Sequence, residues 1–161
     1  VQPWTGKKVI VAGILLEPNE LLDIFNEFGL AIVDDDLAQE SRQIRVDILD
    51  GEEGPLYRMA KAWQQMYGCS VATDTKKGRG KMLMNKMAQT GADAVIIAQM
   101  KFCDPWAYER MIGTIVLREE HGYPVLAVDR PYAIGSSGQM RTRVQAFVES
   151  IEIKKIQGGK K

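Results

Sequence analysis

Apolar and polar positions along the chain alternate in blocks rather than residue by residue. Lys7–Leu16 (KKVIVAGILL) opens on charge and continues as a β-branched and aliphatic run, the pattern of a strand covered on both faces. In PNELLDIFNEFG, Leu21, Leu22, Phe25 and Phe28 recur at helical spacing, and Gly29 supplies a C-terminal stop. LAIVDDD reads as a second strand that becomes acidic at its end. After a polar stretch, helical patterns cover Pro55–Tyr67 and Gly80–Gln89, and a third strand pattern covers Ala92–Met100. Pro105–His121 is the next predicted helix, Val125–Val128 the fourth strand, and Gly138–Ile151 the closing helix. Short strands alternating with helices predict parallel βαβ units. The expected fold is therefore a three-layer α/β domain over residues 1–153, Rossmann-like or flavodoxin-like, with a mainly parallel four-stranded sheet. KKIQGGKK, residues 154–161, reads as a flexible tail.

Composition narrows the class. With 161 residues the chain can bury a real core, and 45% apolar against 26% charged residues argues against disorder. No apolar run approaches the roughly 20 residues that a bilayer crossing needs, so no membrane span is expected. A net charge of +0 creates no global field to recruit nucleic acid or an anionic membrane. The two cysteines, Cys69 and Cys103, form no CxxC pair, which argues against a disulfide scaffold and for a reducing, cytoplasmic setting. The chain opens at Val1 with neither a methionine nor a signal-type segment, as expected of a piece of a longer protein.

In an open parallel sheet the ligand crevice lies beyond the carboxyl ends of the strands. Four loops qualify: LLEPNE, DDDLAQESRQ, KFCDP and DRPYAIGSSGQ. Cys103 is the most reactive group among them. Asp104 is a good N-cap and Pro105 a good first helical residue, so a helix is expected to begin just after the cysteine. Free backbone N–H groups and the positive helix end would then favour thiolate over thiol. Such a thiolate suits nucleophilic attack or metal binding. A packed core cysteine is the alternative, because no histidine is near enough in sequence for a Cys-His dyad and one cysteine cannot hold a cluster or a zinc ion.

Other features have simpler readings. His121 precedes Gly122 and Pro124, where a cation complements a helix C-terminus. Asp34, Asp35 and Asp36 read as a solvated strand end or cap, with a magnesium-binding phosphoacceptor site as the alternative. TKKGRGK, with Lys76, Lys77, Arg79 and Lys81, lacks P-loop spacing and reads as a basic turn or as a contact for coenzyme phosphates or a partner subunit. GSSGQMRTR suits helix capping and also anion binding at a helix end. AGILLEP replaces the G-x-G-x-x-G of a nicotinamide site after the first strand.

GADAVIIAQM, KFCDPWAYER and GQMRTRVQAFVES together resemble the C-terminal domain of the 2-hydroxyacyl-CoA dehydratase and benzoyl-CoA reductase family. The opening GKKVIVAGILLEPNELLDIFNEFGLAIVDDDLAQESRQIRVDIL and YGCSVATDTKKGRGKM are most similar to the ATP-dependent benzoyl-CoA reductase branch. The resemblance runs from about Gly6 to Ile153. It implies a catalytic subunit of two related α/β domains holding a [4Fe-4S] cluster through three cysteines, one of them in a CDP element. Cys103 occupies that position, with Asp104 orienting the sulfur and the other ligands on a domain absent here. Cys69 matches no ligand motif and reads as a structural or interface residue. Arg141 and Arg143 are candidates for partner or coenzyme contacts, with surface helix positions as the alternative. The implied activity is reduction of the benzoyl-CoA ring, with a homologous catalytic subunit and an ATP-hydrolysing iron-sulfur activator as partners. The alternatives are a 2-hydroxyacyl-CoA dehydratase subunit, which eliminates water through a ketyl radical, and a non-catalytic scaffold paralogue. An isolated fragment would be inactive.

Overall fold

A computed structural model describes residues 4–16, 19–48, 50–68, 78–130 and 137–158. Four strands, β1 (Lys7–Gly13), β2 (Leu30–Asp36), β3 (Ala94–Met100) and β4 (Val125–Arg130), form one sheet in the order β2-β1-β3-β4. Every pairing is parallel. The α/β reading and the parallel four-stranded sheet are borne out. This order reverses direction between β1 and β3, the place where an open α/β sheet leaves a crevice at its carboxyl end.

The two faces of the sheet build two cores because successive strand residues point to opposite sides. Val9 and Val11 of β1, with Ile96 of β3, pack against α1 (Glu20–Glu27) and α5 (Ser137–Gly158) through Leu21, Phe25, Val144 and Phe147. Ile10 and Ala12, with Val95 and Ile97, face α3 (Arg79–Thr90) and α4 (Asp104–Thr114) through Met82, Leu83 and Trp106. Both faces of β1 and β3 are thus covered, which explains why their sequences read as unbroken apolar runs. β2 lies at the edge and alternates only loosely, with Ile32 exposed.

Several boundaries differ from the sequence reading. The second helix, α2 (Pro55–Gln64), stops three residues before Tyr67, and α5 continues through Gly158, so residues 154–158 are helical rather than a loose tail. The helix after Cys103 is regular only to Thr114. It then widens into π-type turns over Ile115–Glu120, whose Leu117 is buried in the core. Cys69, Lys76 and Lys77, and most of the loop ahead of Ser137, lie outside the described residues.

Gly13 ends β1 at a point of close approach. A Cβ there would lie 2.6 Å from the Ala98 carbonyl oxygen on the neighbouring strand. Gly13→Ala should therefore lower stability by about 1–3 kcal/mol, the cost of overpacking against backbone that cannot move aside. Urea denaturation checks this as a lower midpoint at unchanged slope.

Candidate functional site at the carboxyl ends of the strands

Cys103 stands at the sheet's carboxyl edge, in the loop from β3 into α4. The Cys103 N–H donates to the Met100 carbonyl (3.2 Å), and its own carbonyl accepts from Ala107 N–H (3.0 Å). That second bond is the first turn of α4. Cys103 itself therefore occupies the cap position, and Asp104 opens the helix one residue earlier than the sequence suggests. The turn is made possible by Phe102, which adopts a left-handed φ of 66° and is 97% exposed. A phenylalanine in that conformation costs energy, and such outliers concentrate at functional sites. Cys103 is a free, partly buried thiol that packs on the cluster containing Trp106. Asp104 is exposed and places its carboxylate in the first turn, where it complements the helix dipole.

Behind this turn lies a buried ion network. Asp36, fully buried at the end of β2, accepts from Arg42 Nε (3.1 Å) and from the guanidinium groups of Arg45 and Arg79. Arg42 also donates to the Gly13 carbonyl (2.9 Å) and the Asp36 carbonyl (2.6 Å), tying the ends of β1 and β2 together. Arg79 reaches Glu109 of α4 through Nε (3.3 Å). The buried Trp106 ring lies 4.2 Å from the Arg79 guanidinium carbon and 5.4 Å from that of Arg42. Burial lowers the Arg79 pKa and Arg42 adds to that, while Asp36 and Glu109 oppose it. A guanidinium nevertheless stays charged in this setting. The network thus buttresses the first turn of α4, three residues after Cys103.

The acidic triplet is therefore only in part the solvated strand end or cap that the sequence suggests, because Asp35 caps the turn that follows while Asp36 is fully buried. Asp34 pairs with Lys86 (2.6 Å), Asp35 accepts the N–H groups of Leu37 (2.9 Å) and Ser41 (3.2 Å), and Asp36 is locked among arginines. The carboxylates are satisfied by protein donors rather than converging on an ion site. Among the described residues no group of three or more His, Cys, Asp or Glu side chains is placed to hold a metal. Arg79, read from sequence as part of a basic turn, is instead buried. Sequence reasoning misses the network; the only local signal is an acidic strand end followed six and nine residues later by Arg42 and Arg45.

The other candidates fall outside this site. Arg141 pairs with Glu27, and Arg143 donates to the Ala127 carbonyl (2.6 Å), so both serve to hold α5 in place. His121 is exposed after the π-type turns, ahead of a left-handed Gly122. At the carboxyl ends of β1 and β2, beside α1, a groove of about 320 Å³ has Leu15, Leu16, Leu22 and Leu37 in its walls and Asn19, Asp35, Gln39 and Glu40 at its polar positions. Two carboxylates there make it unsuited to phosphate groups.

The donor set at the carboxyl edge defines what the site can do. One half-exposed thiol at a helix start fits as one ligand of a soft metal or cluster, and no more than one. Residues 2–151 match the family model described as 2-hydroxyglutaryl-CoA dehydratase, D-component. The chain belongs to this family. It is 68% identical over 153 residues, 94% of its length, to the lactoyl-CoA dehydratase subunit beta of Anaerotignum propionicum, of which it covers 40%. It is 34% identical over 152 residues, 93% of its length, to the (R)-phenyllactyl-CoA dehydratase beta subunit of Clostridium sporogenes, covering 39% of that protein. A benzoyl-CoA reductase subunit of Thauera aromatica is 25% identical over 151 residues, 91% of the chain and 38% of the relative. The chain thus spans about two fifths of the length of these curated relatives. The family resemblance is confirmed, and the dehydratase alternative is better supported than the reductase branch. The sequence reading favours the reductase on the opening GKKVIVAGILLEPNELLDIFNEFGLAIVDDDLAQESRQIRVDIL and on YGCSVATDTKKGRGKM, but over nearly the whole chain the identity is 68% to the lactoyl-CoA dehydratase subunit against 25% to the benzoyl-CoA reductase subunit. No helix among the described residues is long and apolar enough to cross a membrane.

Proposed function

We propose that this chain is part of the beta-type subunit of a 2-hydroxyacyl-CoA dehydratase acting on a short-chain substrate of the lactoyl-CoA type. The observation that carries this reading is the 68% identity over 153 residues to a lactoyl-CoA dehydratase beta subunit, twice the 34% found with the phenyllactyl enzyme. A [4Fe-4S] cluster, when bound, would supply single electrons at low potential for removing water from the thioester. Cys103 is the residue of this chain suited to ligate it, and the remaining ligands would come from outside the described residues. The chain's own part is to hold that thiol. Phe102 turns the backbone, the core cluster containing Trp106 packs against the cysteine, and the Asp36 network fixes Trp106, so that the ligand meets the cluster with little reorganisation. Partners are a homologous catalytic subunit and an ATP-hydrolysing electron activator.

The test is anaerobic turnover by the complete complex with its activator. Lactoyl-CoA should be dehydrated with a higher kcat/KM than phenyllactyl-CoA or 2-hydroxyglutaryl-CoA, yielding acryloyl-CoA. Preference for either larger substrate, or ring reduction of benzoyl-CoA, would reassign the protein within the family.

A further inference from the structure

α2 turns its polar side to the loop that leads into it. Arg58, Lys61, Ala62 and Gln65 follow one another at helical spacing and line the small cavity formed with Asp47, Asp50 and Glu53, where Arg58 pairs with Asp50 (3.2 Å). Leu56, Met59, Ala60 and Trp63 repeat at i, i+3, i+4 and i+7 on the opposite side. That stripe faces outward. Leu56 is 81% exposed, Met59 54% and Trp63 59%, and α2 contributes no buried residue at all.

A ten-residue helix gains too little from its own hydrogen bonds to be stable, so helices of this length depend on burying an apolar face. Here that face has nothing to lie on among the described residues. The stripe also carries no charged residue, unlike the polar rims of surfaces that separate readily. More than half of the length of the 68%-identical relative lies outside the region that this chain matches. We propose that the outward stripe of α2 is an internal seam, covered in the complete subunit by the part of the same polypeptide that lies beyond this chain. A segment of the same chain supplies that cover at high effective concentration during folding, which a dissociable partner does not. Ridge-forming side chains at i, i+3 and i+7 suit a helix as the covering element.

The test uses the full-length subunit in its assembled complex. A photo-cross-linking benzoylphenylalanine at Trp63, and separately at Leu56, should give products of unchanged subunit mass whose cross-linked peptides map outside this chain. Native Met59 and Trp63 should show loss of hydroxyl-radical oxidation relative to the urea-unfolded subunit. Cross-links to a different subunit, cross-links giving twice the subunit mass, or oxidation of Met59 and Trp63 as fast as in the unfolded protein would each overturn the proposal.

Discussion

Asp36→Asn should cost about 3–5 kcal/mol, the range found when one partner of a buried ion pair is removed and the other is left behind. Asparagine keeps the size and one acceptor oxygen but sets an NH2 donor against an arginine N–H, so the change removes the charge and also an accepted hydrogen bond. Three guanidinium groups, Arg42, Arg45 and Arg79, share that carboxylate, and Glu109 is the other acid of the network among the described residues. Arg79 Nη2 already lacks a hydrogen-bond partner among the described residues. Without the Asp36 charge, Arg79 would remain buried with Glu109 as its counter-ion, and the Trp106 ring would lose a fixed cation on its face. A loss of that size is a large fraction of the roughly 5–15 kcal/mol that holds a domain together. Chemical denaturation reads it directly. The double variant with Arg79→Gln should cost less than the sum of the two single changes, because losing Arg79 removes one of the three guanidinium charges that Asp36→Asn leaves without its carboxylate. Additive losses would mean that water reaches the network and compensates each charge separately.

Cys103→Ser in the complete complex should remove most of the iron and the cluster signal from this subunit. Dehydration should fall by more than the roughly 100-fold that losing an outer-shell partner of a metal costs. Serine nearly preserves the volume and keeps the cap geometry, so at this partly buried position the domain should lose only about 1 kcal/mol of unfolding free energy. Iron and sulfide analysis with electron paramagnetic resonance, run beside the stability measurement, separates ligation from packing. An unchanged iron content and spectrum would return Cys103 to the role of a small core residue at a helix start. Asp104→Ala is the companion change. It should leave iron in place and lower activity by no more than about tenfold, because this exposed carboxylate touches the helix dipole rather than the sulfur.

Much of the fold is legible because burial on both faces leaves a continuous apolar signature. β1 and β3 carry that signature and reveal their pairing direction, and the Leu-Phe spacing of α1 corresponds to Leu21 and Phe25 in the core. Boundaries are less legible. The residue pattern extends α2 to Tyr67 and ends α5 at Ile151, because local composition does not show where tertiary contacts let a helix stop or continue. The candidate site divides along the same line. Cys103 is visible because a reactive residue at a strand-to-helix junction is a local feature, whereas Asp36, Arg42, Arg79, Glu109 and Trp106 come from separate elements.

By itself, the sequence determined the α/β class, the parallel alternation and the family, since all of these rest on short-range pattern or on motif. Only the tertiary structure decided that the third aspartate of DDD is a buried counter-ion, that a residue of a basic turn is part of the core, and that α2 presents its apolar stripe outward. Those outcomes depend on which groups the sheet order brings within a few ångströms of one another. The free energy of a charge depends on its partners and its burial rather than on its neighbours in the chain.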